Sequence, residues 1–196
     1  NWHNLHLERS LSEMDISQQL NISYVWELPF GPKRRFLSGT RGLAAAVAGG
    51  WQLNGIMSRR TGFPLVMSAS ITGGGNRPNS TGSSAALDQS RPRQEQIQRW
   101  FETNRFILPP AYSLGNVGRV LPDVRGPSLT NLDMSLFRNQ KIFERLNAQF
   151  RFEYFNIFNT PHFWMPNTAM GSLQFGQINA TSGLPRVGQV GLKLVF

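Results

Sequence analysis

The sequence predicts an all-β fold: the C-terminal strands of a large antiparallel transmembrane β-barrel, with long extracellular loops and one short loop helix. Three observations lead there. Runs of apolar–polar alternation recur along the chain, and period two marks a strand with two chemically different faces. Short and long connections between those runs alternate, as they do in barrels whose long loops lie outside the cell. The chain also stops on a strand. Val190, Leu192, Leu194 and Phe196 alternate with Gln189, Gly191, Lys193 and Val195, and no polar tail follows the ring. Lipid on one face and a lumen on the other accommodate that pattern. An ordinary edge or core strand remains the alternative for the terminal segment alone.

Composition narrows the classes. With no cysteine, disulfides and thiolate metal sites are excluded. The formal charge is +9, but Lys and Arg are scattered except at Lys33-Arg34-Arg35, so no nucleic-acid partner is expected. No apolar run reaches the ~20 residues of a transmembrane helix. The start, Asn1-Trp2-His3-Asn4, lacks Met and a signal peptide, so the expectation is a processed product or fragment.

In order, residues 1–13 show no sustained period and read as the end of a loop. A strand is expected from Met14 to Leu28, with Ile16, Leu20, Ile22, Tyr24, Trp26 and Leu28 on one parity. It exceeds the ~9–11 residues that a tilted membrane strand requires, and Trp26 and Phe30 suit an interfacial girdle. Pro29, Gly31 and Pro32 end it, and a basic link runs through Arg41. The second strand, residues 50–58, sets Trp51, Leu53 and Met57 against Gln52, Asn54 and Ser58.

Residues 68–128 read as a long excursion that opens on a flexible, turn-prone run, Gly73 to Pro78. A helix is expected from about Arg93 to Thr103, with Pro92 in its first turn and Ile97, Trp100 and Phe101 as an apolar stripe. Leu132, Met134 and Leu136 mark the third strand, and residues 137–141 a short polar link. Leu146, Ala148, Phe150, Phe152 and Tyr154 mark the fourth, whose Arg151 and Glu153 suit a wet lumen. Residues 161–186 form another long loop before the terminal strand. With that strand running down to the periplasm, 161–186 and 68–128 fall outside the cell, and 139–141 and 29–41 in the periplasm. Ile22, Tyr24, Leu53, Leu136, Phe150, Phe152 and Leu192 are expected to face outward.

Catalytic chemistry finds little support. His3 and His6 lie close in sequence, but a zinc site needs about four ligands. No nucleophile elbow or phosphate loop occurs. Asp133 and Glu153 share the lumen face and are expected to pair with Arg151 rather than act as an acid/base couple. No enzyme activity, cofactor or metal is expected. Trp51, Tyr154, Phe158, Phe163 and Trp164 read as girdle residues or as a ligand platform. Phe163 and Trp164, on a loop, are the better ligand candidates, with Arg119 and Arg125 beside them, while Trp100 and Phe101 pack the loop helix.

The terminal segment resembles the C-terminal assembly signal of bacterial outer-membrane barrels at Gln189, Gly191, Leu194 and Phe196. The chain as a whole resembles the C-terminal part of an Oar-like TonB-dependent outer-membrane receptor of the carboxypeptidase-regulatory-like group. Carriers include Glu27-Leu28-Pro29-Phe30-Gly31, Gly50-Trp51-Gln52-Leu53-Asn54-Gly55-Ile56, Gly115-Asn116-Val117-Gly118-Arg119, Arg125-Gly126-Pro127 and Phe152-Glu153-Tyr154-Phe155-Asn156. The resemblance implies one incomplete domain over residues 1–196, lacking the plug and N-terminal domains of a barrel of about 22 strands. It implies the outer membrane of a Gram-negative bacterium, and lipid, the barrel assembly machinery and an unknown ligand as partners. The TonB complex would engage through parts missing here. The rival expectation is a soluble, lectin-like β-rich binding module, whose apolar faces would interdigitate between two sheets.

Overall fold

The computed structural model describes residues 4–143 and 146–196. In chain order these form β1 (Gln19–Glu27), α1 (Gly42–Ala48), β2 (Trp51–Arg60), β3 (Ser68–Ala69), β4 (Asn79–Ser80), α2 (Arg93–Gln98), β5 (Phe106–Ile107), β6 (Leu129–Lys141), β7 (Asn147–Phe155), β8 (Ala169–Met170) and β9 (Val187–Val195). Short 3₁₀ turns stand at Leu5–Glu8 and Thr103–Arg105. The chain divides into two compact units.

One unit comprises Leu20–Arg59, Thr130–Pro161 and Leu184–Phe196 and holds a five-stranded sheet in the order β1-β2-β6-β7-β9. β6 and β7 pair antiparallel from Met134↔Tyr154 to Lys141↔Asn147, and β7 and β9 from Phe155↔Val187 to Asn147↔Val195. This register gathers the apolar residues on one side: Leu136 stands opposite Phe152, Phe152 opposite Val190, and Phe150 opposite Leu192. Glu153 stands between Ser135 and Gln189 on the other side. Trp51 of β2 joins the apolar side, its ring 6.0 Å from that of Phe152. The ring of Tyr24 in β1 lies over Gly55 of β2, where an added Cβ would fall 2.5 Å from it. Only glycine admits that approach.

The apolar side is open. Ile22, Phe150, Phe152 and Leu192 are exposed, Leu192 at 60%, while Tyr24, Leu53 and Leu136 on the same side are half-buried by their strand neighbours. The other sheets have two strands each. The interdigitated sandwich therefore does not form. Among the described residues the edges β1 and β9 are unpaired, so the strands make an antiparallel sheet rather than a closed barrel.

The other unit takes the N-terminal stretch to Gln19, Arg60–Leu129 and His162–Gly183. It has its own hydrophobic core, including Leu65, Met67, Trp100, Phe101, Val117, Val124 and Ile178. Phe101, Phe106 and Phe175 meet edge to face with ring centroids 5.2–6.1 Å apart, a favoured aromatic geometry. Phe175 thereby ties segment 162–183 to segment 60–129. β3 pairs parallel with β8, and β4 antiparallel with β5. The Gly73-to-Pro78 run, read as flexible, is pinned. Pro78 is fully buried, and the Gly75 N–H donates to the Ser113 carbonyl at 3.2 Å.

Several boundaries move. The first strand begins at Gln19 rather than Met14, because Arg125 engages Asp15 through its carbonyl and carboxylate. Residues 137–141, read as a link, continue β6, since Asn139 and Lys141 pair with Gln149 and Asn147. The connection to β7 therefore begins after Lys141, where the Ile142 N–H donates to the Leu146 carbonyl at 2.9 Å. The basic link ends in the unexpected α1, built on alanine, the strongest helix former. α2 stops at Gln98 instead of Thr103. The chain turns extended at Arg99, and the Trp100 N–H donates to the Gly176 carbonyl at 2.8 Å. Trp100 and Phe101 therefore enter the core from beyond the helix.

Phe101 is 0% exposed, so its truncation removes the ring on which Phe106 and Phe175 both rest. Phe101→Ala is expected to cost about 3–5 kcal/mol in denaturant unfolding. Limited proteolysis should accelerate in 60–129 and 162–183, with the sheet strands spared.

Candidate functional site

In the sheet unit, the polar side carries a side-chain network. The Arg151 Nε donates to Gln149 Oε1 at 2.7 Å, and the Gln149 Nε2 donates to Asn139 Oδ1 at 2.8 Å. Gln52 Nε2 donates to Asn54 Oδ1, Asn131 Nδ2 to Asp133 Oδ1, and Gln189 Nε2 to Glu153. Arg151, expected to pair with Asp133 or Glu153, instead takes Gln149 and lies 5.1 Å from the centroid of Phe137. Asp133 is occupied in the sheet itself, where its Oδ1 also accepts the Asn156 N–H at 2.8 Å.

Asn156 is a structural residue that sequence reasoning passed over. It is 6% exposed, and its φ of 49° lies in the left-handed region that Asn tolerates. Its Nδ2 donates to the carbonyls of Thr160 and Leu184, and its Oδ1 accepts the Thr160 N–H at 3.0 Å. Asn159, also left-handed, accepts the Arg186 N–H. The Asn-x-x-Asn spacing after an aromatic strand was the available signal.

The assembly-signal residues divide by face. Gln189 and Gly191 stand opposite Glu153 and Arg151 on the polar side, and Leu194 stands opposite Ala148 on the apolar side. Phe196 follows the last strand and is 90% exposed.

The ligand candidates belong to the other unit, where they do not converge. Arg125 is spent on structure: it donates to Asp15 and to the Gly62 carbonyl. Arg119 forms an exposed pair with Glu13 at 3.4 Å, a geometry worth little. Phe163 packs against the core, with the Arg93 guanidinium 6.0 Å from its ring. Trp164 alone is free in the sense expected, at 60% exposure, on the wall of a separate shallow cleft with Asn167 and Gln177.

A second cleft of this unit lies elsewhere. It measures about 650 Å³ and is lined by His6, Ser80, Phe106, Asn116, Asp123 and neighbours. Its wall is rigidly tied. The Ser80 N–H donates to Asn116 Oδ1 at 2.6 Å, the Asn116 N–H to Asn79 Oδ1 at 3.0 Å, and Ser84 Oγ to Asp123 Oδ2 at 2.5 Å. Ligand sites of this size, with a few fixed polar groups around an aromatic floor, are the usual kind.

Three acids of the N-terminal stretch bind three arginines of the long excursion: Glu8 to Arg77, Glu13 to Arg119 and Asp15 to Arg125. The hydrogen bond from Arg77 holds the Glu8 carboxyl down at about 2, below the ordinary 4.5. A depressed carboxyl stabilises the fold above its unfolded value and loses that contribution as pH falls toward 2. The Glu8 carboxyl should therefore titrate near 2 by NMR, and Arg77→Gln should return it toward 4.5.

Among the described residues no group of three or more His, Asp or Glu is placed to hold a metal ion, and His3 lies outside the described residues. Among the described residues no helix is long and apolar enough to cross a membrane. A family model described as "Outer membrane beta barrel domain" matches residues 1–189. No curated protein and no solved structure matches the chain.

Proposed function

Because the chain belongs to the outer membrane β-barrel domain family, a bacterial outer-membrane family, we propose that its sheet is a stretch of barrel wall in a TonB-dependent, Oar-like transporter or receptor of a Gram-negative cell. The carrying observation is the two-faced sheet. Its apolar side, from Ile22 to Leu192, stays exposed, while its polar side is knitted by Gln, Asn, Arg and Glu side chains. Only lipid on one side and water on the other makes both faces favourable. The open edges β1 and β9 then belong to strands that complete the closed barrel. The chain, residues 1–196, contributes one part of that barrel.

In this reading the stretches 68–128 and 161–186 lie outside the cell and capture the ligand. The cleft beside Asn116 is the better receptacle than the scattered Phe163, Trp164, Arg119 and Arg125. The connection after Lys141 and the link at 29–41 lie in the periplasm. Transport would follow rearrangement of a plug when TonB pulls, so this chain contributes wall, receptacle and assembly signal, and no catalysis. Substitutions should separate the faces. Phe152→Arg is expected to destabilise the protein folded in bilayers by about 2–4 kcal/mol near the midplane, whereas Ser135→Arg on the lumen side, opposite Glu153, should be nearly silent. Equal costs would contradict the orientation.

The terminal strand, with Gln189, Gly191, Leu194 and Phe196, is the segment that the barrel assembly machinery would read. Deleting Phe196 from the native protein should lower its outer-membrane level several-fold. Unchanged levels on heat-modifiable gel bands would remove that role.

A further inference from the structure

Arg138 is a cation on the apolar side of the sheet. Arg138 stands opposite Phe150 in the register and is only 7% exposed. Its Nη1 donates to the Val47 carbonyl at 2.9 Å, and its Nη2 to Gln140 Oε1 at 2.6 Å. The guanidinium lies 5.5 Å from the centroid of the Trp51 ring, and its buried Nε has no partner. A charge among apolar strand residues is tolerated where it sits at the strand end and reaches the headgroup layer. Arg138 is three residues from the end of β6.

A cleft of about 370 Å³ opens there, lined by Phe30, Pro32, Arg34, Gly50, Arg138 and Gln140. Two guanidiniums thus face one space. Arg34 is half exposed and holds Glu27 at 2.8 Å. From Leu28 to Gly49 the sequence has four basic residues, Lys33, Arg34, Arg35 and Arg41, and no acid. Apolar side chains stand out beside them: Leu43 and Val47, one helical turn apart on α1, are 86% and 64% exposed.

We propose that this end of the sheet is a binding site for an anionic phospholipid. The headgroup phosphate sits in the cleft between Arg34 and Arg138, and the acyl chains run along Trp51 and Phe152. Guanidinium forks match phosphate oxygens, and Leu43 and Val47 anchor the basic segment at the interface. A zwitterionic lipid offers the same phosphate, but its ammonium would meet a basic segment whose neighbouring acid, Glu27, is already paired with Arg34. The site therefore selects net negative charge. The inference rests on the lipid-facing reading of the apolar side and adds a headgroup preference to it.

The test is quenching of Trp51, read as the fluorescence component lost in Trp51→Phe. The full chain is reconstituted into bilayers that contain brominated phosphatidylglycerol or brominated phosphatidylcholine. Both lipids should quench Trp51, phosphatidylglycerol at lower mole fraction. Arg34→Gln, at an exposed position, should weaken the phosphatidylglycerol effect about fivefold and leave phosphatidylcholine quenching unchanged. Arg138→Gln should do the same or more if it folds, and Arg34→Gln decides the matter if it does not. Equal quenching by the two lipids, or an unaffected Arg34→Gln, overturns the headgroup site while the lipid-facing reading stands. Millimolar inorganic phosphate that abolishes the preference also overturns it, in favour of a free-phosphate site. Quenching by neither lipid overturns both readings.

Discussion

The structure depends on a parity constraint. Along β6, β7 and β9 each residue has a fixed opposite: Leu136, Phe152 and Val190 form one row across the sheet, and Ser135, Glu153 and Gln189 the next. A slip of one residue would exchange the rows and place Glu153 among the aromatics. Side-chain bonds such as Gln149 to Asn139 span strands only in this register. Every later feature follows from the two unlike faces, including the exposed apolar rows and the polar network.

Asn156 and Asn159 protect that constraint at the end of β7. Two left-handed residues within four positions turn the chain away from the strand. Asn156 fastens the turn to Thr160, Leu184 and Asp133, so the start of the last segment is fixed relative to β6 and β7. At the opposite end of β7 the ladder runs to Lys141↔Asn147. The pairing is therefore held at both ends, which explains how a sheet with two solvated faces keeps one register.

The strands were legible because period two is a local signal. The faces followed from it, and the exposed residues Ile22, Phe150, Phe152 and Leu192 lie where alternation puts them. What escaped is long-range. The second unit's core joins Leu65, Trp100, Phe101 and Ile178, residues far apart in sequence within Gly- and Pro-rich stretches without periodicity. Arg125 looked like a loop cation, yet its partner Asp15 lies 110 positions away. The polar run 137–141 looked like a link because composition marks turns only statistically. Its residues in fact continue the ladder, with Asn139 on the polar side and Arg138 on the apolar side. The deep position of Arg138 on the apolar side was invisible for the same reason: its neighbours Trp51 and Val47 come from another part of the chain.

The central claim is that the two sides of the sheet meet different solvents. The most direct measurement is spin-label accessibility, one site at a time from Gln149 to Tyr154, for the chain in bilayers. Oxygen, which partitions into lipid, should relax labels at 150, 152 and 154. A water-soluble nickel chelate should relax labels at 149, 151 and 153, with the alternation unbroken through the strand. Uniform accessibility to the chelate on both parities, or uniform protection on both, would contradict the account.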